Sequence, residues 1–306
     1  MPDLRHPVPE GVDVIDVHLF GAENLSCSYL VHAAQPALIE TGPATVFETV
    51  RDELTRRQIE PAHVVLTHIH LDHGGGVGHV AELFPAATIW VHDVGARHVA
   101  DPERLVASAR RLFGASLDTL YGEPRPVGAD RIHAMEDGTV IGLGDRELRV
   151  LYTPGHARHE VTLHDSDSGA AFVGDTAGVC YGDDWQKPAT PPPEFDLDAA
   201  LDSIKRVQDL RPSTICFTHF GPAREAFLER AAADLRDWDG ILRPLAEHGA
   251  SEDEMVTAIE SHAGQPPGDP DFVDAATELS SNRNSVLGYA RYYAKRAEAG
   301  RAAPSS

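Results

Sequence analysis

Apolar and polar residues alternate in the first part of the chain, a pattern typical of strands with one buried face. From residue 12 to residue 20, apolar residues alternate with Asp16 and His18, which predicts a half-buried strand. Short apolar runs bounded by turn residues predict further strands at 26–32, 36–40, 64–66, 87–91, 131–133, 139–141, 147–152, 160–164, 170–174 and 213–217. Helices are predicted between them at 43–57, 77–84 and 197–209. Interleaved strands and helices predict a layered α/β domain.

The pattern changes after residue 222. Residues 223–247, 251–263 and 271–298 are predicted to be helices, with no convincing strand among them. Residues 101–121 also predict helix, as an insertion over the core, and consecutive prolines place an extended loop at 188–193. We therefore expect an α/β domain over residues 1–222, carrying that insertion, and a helical C-terminal extension over 223–306 packed on it.

Charge and cysteine content narrow the classes of function. The 306-residue chain carries 26 Lys and Arg residues against 48 Asp and Glu residues, a formal net charge of −22. Such a surface repels phosphate backbones and anionic lipids, so we expect neither a nucleic-acid partner nor a membrane. Three cysteines, and residues 1–7 without the apolar stretch of a signal peptide, predict a cytoplasmic protein. The 17 histidines matter more, because histidine is the commonest metal ligand.

A histidine-rich loop follows the predicted strand 64–66. His68 and His70, two positions apart, can point to the same side of an extended chain, and Asp72 and His73 follow after the chain turns. The glycines at 74–76 allow close backbone approach beneath these side chains. This spacing can serve two metal ions side by side, whereas the competing interpretation is a polar loop with incidental histidines.

Three further strand ends carry polar residues flanked by glycine or proline. His156 follows the strand 147–152, Asp175 follows 170–174, and His219 follows 213–217. Taken singly, each has an ordinary explanation, since a histidine at a strand end is often hydrogen-bonded structure and Gly-Asp is often a turn. Together with the histidine-rich loop, four strand ends converging on one edge predict a coherent site.

The order of these residues over 12–221 resembles the pattern of the metallo-β-lactamase fold superfamily of hydrolases. The resemblance implies an αβ/βα four-layer sandwich, with two sheets face to face, helices outside and a dinuclear metal site at one edge. It implies that metal one is bound by His68, His70 and His156, that metal two is bound by Asp72, His73 and His219, and that Asp175 bridges them. Glu40 stands where the family usually has Asp, and we expect this longer acid to change how the surrounding residues are held.

Two departures narrow the branch of the superfamily. Asp175 stands where many zinc β-lactamases carry Cys, and His70 stands where the flavodiiron oxygen reductases carry an acid. What remains resembles the glyoxalase II, lactonase and related ester- or thioester-hydrolase group. The implied activity is attack on an ester, thioester or lactone carbonyl by a hydroxide that two divalent metal ions activate. Zn²⁺ is the expected metal, with iron or manganese as alternatives.

Asp72 and Asp175 are the catalytic candidates, with Asp72 orienting the attacking water. Tyr181 lies on an expected rim loop and is a candidate for a hydrogen bond to a substrate carbonyl, the alternative being a packing role. The alternative function is a mononuclear iron persulfide dioxygenase, which uses much the same histidine pattern. A third hypothesis is metal binding without catalysis. The expected partner is a small-molecule substrate, and a homodimer is a further expectation.

Overall fold

The computed structural model describes residues 4, 6–183 and 185–302. Its strands are β1 (Val12–Asp16), β2 (Cys27–Val31), β3 (Ala37–Ile39), β4 (His63–Val65), β5 (Thr88–His92), β6 (Ile132–Met135), β7 (Val140–Gly142), β8 (Glu147–Tyr152), β9 (Val161–Asp165), β10 (Ala170–Gly174), β11 (Val179–Cys180), β12 (Gln186–Lys187), β13 (Thr214–Phe217) and β14 (Gly221–Ala223). The expectation of a missing signal peptide rests partly on residues outside this description.

The helices are α1 (Phe47–Arg57), α2 (Leu71–Gly74), α3 (Val77–Leu83), α4 (Asp93–Ala100), α5 (Glu103–Phe113), α6 (Leu117–Tyr121), α7 (Leu197–Asp209), α8 (Ala226–Glu247), α9 (Glu252–Ala263), α10 (Pro270–Leu279) and α11 (Asn282–Ala302). Among the described residues, no helix has both the length and the apolar character that crossing a bilayer requires. Helices α5 and α6 occupy the segment where the sequence predicts a helical insertion.

Two six-stranded sheets form the centre of the molecule. The first has the strand order β1-β2-β3-β4-β5-β6, in which the pairs β1–β2 and β2–β3 are antiparallel and the pairs from β3 to β6 are parallel. The second has the order β14-β13-β10-β9-β8-β7, in which the β10–β13 pair is parallel and the other pairs are antiparallel. A two-stranded ribbon of β11 and β12 lies outside both sheets.

Alternate residues of each strand face opposite layers, as the pleat of a strand requires. On β2, Cys27, Tyr29 and Val31 belong to the core between the two sheets, whereas Leu30 belongs to the cluster that packs beneath α1. On β10, Phe172 lies between the sheets and Val173 packs against the helices of the other outer face. Helices, sheet, sheet and helices therefore follow one another, which confirms the four-layer sandwich.

The C-terminal helices form most of one outer layer. Phe217 of β13 lies in the same buried cluster as Leu228 of α8, Ile259 of α9 and Tyr289 of α11. Strand β14 runs across the expected boundary at residue 222 and pairs with β13. The helical extension is thus present as expected, while the division of the chain into two domains stays a prediction.

The first predicted strand is shorter than the alternation of residues 12–20 suggested. Strand β1 ends at Asp16, whose carboxylate accepts backbone N–H groups from His18 at 3.1 Å and Asn24 at 2.7 Å. His18 and Phe20 then have positive φ values of 53° and 54°, which no strand accommodates. The prediction over 12–20 was wrong beyond residue 16 because a side chain of the strand itself closes a turn.

The single helix predicted at 271–298 is two helices, α10 and α11. The helical conformation is interrupted at residues 280–281. There the Ser280 carbonyl accepts a hydrogen bond from the ammonium group of Lys187, which also donates to Asn282 Oδ1 at 2.8 Å. Helix α4 was missed altogether: its N-cap is His92, whose Nδ1 accepts the Val94 N–H at 3.3 Å. Histidine is outside the usual set of N-cap residues, so the sequence carried no start signal there.

Candidate metal centre

The histidine-rich loop leaves the first sheet at the end of β4 and turns into α2. Residues 67–70 form no regular element, and α2 begins at Leu71, so His68 and His70 precede the helical turn while Asp72 and His73 lie within it. The turn requires glycine at position 75, because a Cβ there would lie 2.4 Å from the Leu71 carbonyl oxygen. The expected close approach of the backbone is thus present at Gly75.

Three histidines form the first group of candidate ligands. His70 Nδ1 lies 3.1 Å from His68 Nε2 and 2.8 Å from His156 Nε2. His156 Nδ1 lies 2.8 Å from the Ala189 carbonyl oxygen, and since a carbonyl only accepts, Nδ1 carries the proton. The unprotonated Nε2 of His156 therefore faces the other two rings, with a lone pair available for a metal ion.

Asp72, His73 and His219 form the second group. The Nε2 atoms of His73 and His219 are 3.1 Å apart, and Asp72 Oδ2 lies 3.5 Å from the Nε2 of His219. His219 Nδ1 lies 3.3 Å from the Leu25 carbonyl oxygen, which again fixes the proton on the nitrogen that faces away from the group. In each group the ligand atoms all lie within 4.8 Å of one another.

Asp175 lies between the two groups. It follows Gly174, which is paired with Phe217 across the parallel β10–β13 ladder, so the register brings Asp175 and His219 to the same sheet edge. Asp175 Oδ1 is 3.4 Å from His73 Nε2, and Oδ2 is 3.6 Å from His156 Nε2. One carboxylate oxygen thus faces each group, which is the placement that a bridging ligand needs.

The unpartnered polar atoms at this site fit a metal ion. Asp175 Oδ1 is buried and has no hydrogen-bond partner among the described residues, although buried carboxylate oxygens are normally satisfied. Imidazole nitrogens face one another at 2.8 to 3.1 Å in both groups. Nitrogen and carboxylate donors in this number suit Zn²⁺ and related divalent ions. The structure therefore brings all seven predicted ligands together, while metal binding by them stays a prediction.

Two fully buried acids support the ligands from behind. Glu40 Oε1 accepts the Thr67 N–H at 2.9 Å, and its Oε2 lies 3.5 Å from His73 Nδ1. Glu160 Oε1 accepts the Asp175 N–H at 2.7 Å and lies 3.8 Å from His68 Nδ1. The sequence analysis singled out Glu40 but missed Glu160. The only signal for Glu160 was that an acidic residue stands at the start of the strand predicted at 160–164.

Burial and neighbouring charges divide the protonation states within the site. Burial, and then His156, lowers the pKa of His70 to about 4. Although burial opposes its charge, the neighbouring imidazoles of His73 and His219 lower the pKa of Asp72 to about 2. Against the cost of burial, the carboxylates of Asp175 and Asp72 raise the pKa of His73 above its ordinary value. The two carboxylates thus favour a positive charge here, which a divalent cation held by Asp72, His73 and Asp175 would supply with His73 in its neutral form.

A cavity of about 390 Å³ opens above the two groups. His70, Asp72, His156, Asp175 and His219 lie at its base. Its walls come from α4, α5, the loop at 189–194 and the junction of α10 with α11. The helical insertion predicted at 101–121 and the proline-rich loop predicted at 188–193 both contribute to these walls.

Tyr181 lies apart from this cavity. Its side chain is 3% exposed, its ring stacks on Trp185 at 5.5 Å between centroids, and its hydroxyl has no hydrogen-bond partner among the described residues. It lines a second cavity, of about 460 Å³, near Phe220 and Phe272. The structure does not bring Tyr181 to the candidate ligands, and its contact with a substrate stays a prediction.

Comparison with known families agrees with this geometry. The family model of the metallo-beta-lactamase superfamily matches residues 21–219, which contain all seven candidate ligands. The chain belongs to this superfamily. A solved superfamily structure, the archaeal protein ST1585 from Sulfolobus tokodaii, is similar to the chain with a TM-score of 0.69 and 21% identity, and the match covers 94% of this chain and 100% of that one. At that identity the likeness supports the superfamily fold.

Three curated proteins illustrate the superfamily relatives of the chain. ST1585 from Sulfurisphaera tokodaii is 29% identical over 55% of this chain, and the acyl-coenzyme A thioesterase MBLAC2 of Bos taurus is 28% identical over 54%. The hydroxyacylglutathione hydrolase of Maricaulis maris is 32% identical over 48% of this chain. These alignments span 63%, 63% and 46% of the respective relatives, so the chain covers less than two thirds of their length.

Proposed function

We propose that the protein is a metal-dependent hydrolase of thioesters or related esters that uses two divalent metal ions, with Zn²⁺ as the expected metal. The observation that carries the proposal is the position of Asp175, whose two carboxylate oxygens face the two ligand groups at 3.4 and 3.6 Å. Two such ions, when bound, polarise a carbonyl and lower the pKa of a water so that hydroxide forms near neutral pH.

The chain's own residues provide the positioning that this chemistry needs. His70 and His156 lie at the base of the cavity, where a substrate carbonyl would enter, and the buried His68 completes this group behind them. Asp72 is partly exposed to the cavity, and the imidazoles of His73 and His219 lower the pKa of its carboxyl against the effect of burial, so its carboxylate can orient a water and accept the water's proton. Hydrolysis then releases the acid and, for a thioester, the protonated thiol.

Two relatives support a thioester as the substrate. One is named an acyl-coenzyme A thioesterase and another a hydroxyacylglutathione hydrolase, and both names describe cleavage of an acyl group from a thiol carrier. The alternative of an iron persulfide dioxygenase is not favoured, because it uses one iron, whereas a second complete group of ligand atoms lies beside the first.

Metal analysis combined with hydrolysis assays tests the proposal. We expect about two zinc ions per purified chain and hydrolysis of at least one acyl thioester. Asp175→Asn should abolish turnover and lower the metal content, because the amide cannot bridge two cations. Asp202→Asn, a change of the same kind on the exposed face of α7, is the control and should leave both unchanged. One iron per chain, with oxygen uptake on a persulfide, would overturn the proposal.

A further inference from the structure

The cavity above the ligand groups has an apolar wall and a cationic rim on the same helix. In α5, Leu105, Ala109 and Leu112 recur at spacings of four and three residues and so share one stripe, and all three line the cavity. Arg104 and Arg111 lie on the adjoining stripe, each one position before a leucine, and also line it. Helix α5 therefore presents an apolar and a cationic stripe to the same space.

Two of the rim arginines donate hydrogen bonds to uncharged partners: Arg97 Nε bonds His98 Nε2 at 3.1 Å, and Arg111 Nε bonds the Ala107 carbonyl at 3.3 Å. None of Arg97, Arg104 and Arg111 forms an ion pair with a carboxylate in the described part of the chain. Arg110, the neighbour of Arg111 on α5, lies outside the cavity lining and pairs with Asp118 at 2.6 Å. In the described part of the chain, the arginines that face the cavity thus keep a positive charge that no carboxylate pairs with, whereas the charge of Arg110 is paired with Asp118.

The acids near the cavity do not cancel this rim. Glu194 is occupied by Arg158, whose Nη2 lies 2.8 Å from Glu194 Oε1. The other carboxylates of the lining are Asp72 and Asp175, at the base of the cavity among the candidate ligands. At His98, partial burial and then the charges of Arg97 and Arg104 lower the pKa, and they outweigh the opposite effect of Glu194 and Asp101.

A positive rim is unusual on a chain with a net charge of −22, whose surface as a whole repels anions. It would draw an anionic group to this one opening. Seven residues of helix separate Arg104 from Arg111, which corresponds to about 10.5 Å along the axis. That distance exceeds the reach of one carboxylate and suits a ligand with several anionic groups. Arginine also favours phosphate, since its planar donors bind two oxygens at once.

We propose that Arg97, Arg104 and Arg111 bind phosphate groups on the thiol half of a thioester substrate, as in a coenzyme A thioester, while the apolar stripe of α5 contacts the acyl chain. The inference rests on the proposed function. In the reaction, water adds to the carbonyl, the C–S bond breaks, and the phosphorylated thiol leaves with a proton. The cavity volume of about 390 Å³ lies in the range of small-molecule sites, so the acyl and thioester part fits inside while the phosphates remain at the rim.

A matched pair of substrates isolates the phosphates. Acyl-coenzyme A and acyl-pantetheine can carry the same acyl chain on the same thioester, and the second lacks the phosphate groups. We expect Arg104→Gln and Arg111→Gln each to raise KM for acyl-coenzyme A about tenfold, with kcat unchanged, and to leave KM for acyl-pantetheine unaltered. Added salt should raise KM for acyl-coenzyme A alone. Arg110→Gln is the control on the same helix and should change neither.

Direct binding separates this inference from the proposed function. Coenzyme A, titrated calorimetrically into the full chain, should bind the wild type and the Arg110→Gln variant, and should bind the combined variant of Arg97, Arg104 and Arg111 at least tenfold more weakly. Equal binding to all three proteins, or no binding to any, would overturn the inference even if thioesters are hydrolysed. Arginine-dependent binding with no hydrolysis of any thioester would contradict the proposed function and support the phosphate site.

Discussion

Glu40 shows what one extra methylene does at this site. The residue has a positive φ of 65°, a conformation that costs free energy for a long side chain, yet it is fully buried. Its carboxylate reaches both the Thr67 N–H, at 2.9 Å, and His73 Nδ1, within 3.5 Å. The longer acid therefore connects the end of β4 with a ligand of the second group, which a shorter side chain would not span.

Glu40→Asp should weaken the second metal site selectively. The shorter acid loses its contact with His73 Nδ1, so we expect the affinity of the ion bound by Asp72, His73 and His219 to fall about 10- to 100-fold. The first ion should bind as before. Folding stability should change little, because Asp tolerates a positive φ better than Glu does. Competition with a chromogenic chelator measures the two affinities, with the exposed Glu60→Asp as control. Equal loss of both ions would contradict this role.

Among single residues, the sequence predicted those whose type and spacing are typical of metal ligands. The three histidines and one aspartate at 68–73 stand out in any composition, and His156, Asp175 and His219 each follow an apolar run. Glu160 could not be found in this way, because its role depends on the antiparallel pairing of β9 with β10, which brings the residue before β9 next to Asp175. The burial of Tyr181 could not be predicted either, because Tyr181 follows β11 in the β11–β12 ribbon. Each strand of that ribbon has only two residues, too few for periodicity to reveal.

Among the elements, α11 and the proline-rich loop are held at van der Waals contact. A Cβ on Gly288 of α11 would lie 1.8 Å from the Thr190 carbonyl oxygen, and Thr190 Oγ1 donates to the Ser285 carbonyl at 3.0 Å. The residue before Thr190 is Ala189, whose carbonyl fixes the proton of His156 at 2.8 Å. A C-terminal helix thus determines the position of a loop that orients a candidate ligand.

Two glycine substitutions in long helices should have opposite effects. Gly288→Ala pushes the loop away, so we expect the free energy of unfolding to fall by about 1–3 kcal/mol and metal affinity at the His156 group to fall about tenfold. Gly240→Ala, in α8, meets nothing within 4 Å and should raise the free energy of unfolding by up to about 1 kcal/mol. Urea unfolding and chelator competition measure both. If the free energy of unfolding changed in the same direction in both variants, the close contact between Gly288 and Thr190 would be refuted.

The element boundaries that the sequence predicted well are those set by local signals. Helix α7 begins at the N-cap Asp196, whose side chain accepts the Ala199 N–H at 3.1 Å, and its predicted range of 197–209 is the observed one. The break between α10 and α11 depends on Lys187, which lies far away in the sequence. Boundaries of that kind follow from tertiary contacts, which no local pattern encodes.

At the scale of the whole molecule, the C-terminal helices share a hydrophobic cluster with the second sheet. Trp238 of α8 and Val286 of α11 are buried with Ile215 and Phe217 of β13. Without the helices, the outer face of that sheet would expose a large apolar surface. We therefore expect the sandwich and the helical extension to unfold as one cooperative unit, although their sequence patterns differ and predict two separate parts.

Hydrogen exchange in increasing denaturant tests this cooperativity. The slowest amides of α8 and α11 should open with the same free energy as those of β10 and β13, because the shared cluster must come apart for either to unfold. Helix α5, which contains no buried residue, provides the internal contrast and should open at a much lower free energy. Slowest amides in α8 that exchange well before those of β13 would instead indicate an independent domain.

The placement of α5 has a consequence for how such a protein diversifies. The helix contains no candidate metal ligand, and only one side of it packs on the hydrophobic clusters, through the partly buried Leu105, Val106, Ala109 and Phe113. Changes at its exposed positions therefore leave both the candidate metal centre and the core intact. It nevertheless supplies much of the surface that a substrate meets first. We therefore expect substitutions of Arg104 and Arg111, two turns apart on one peripheral helix, to change which ligand binds while the candidate metal centre beneath is unaltered.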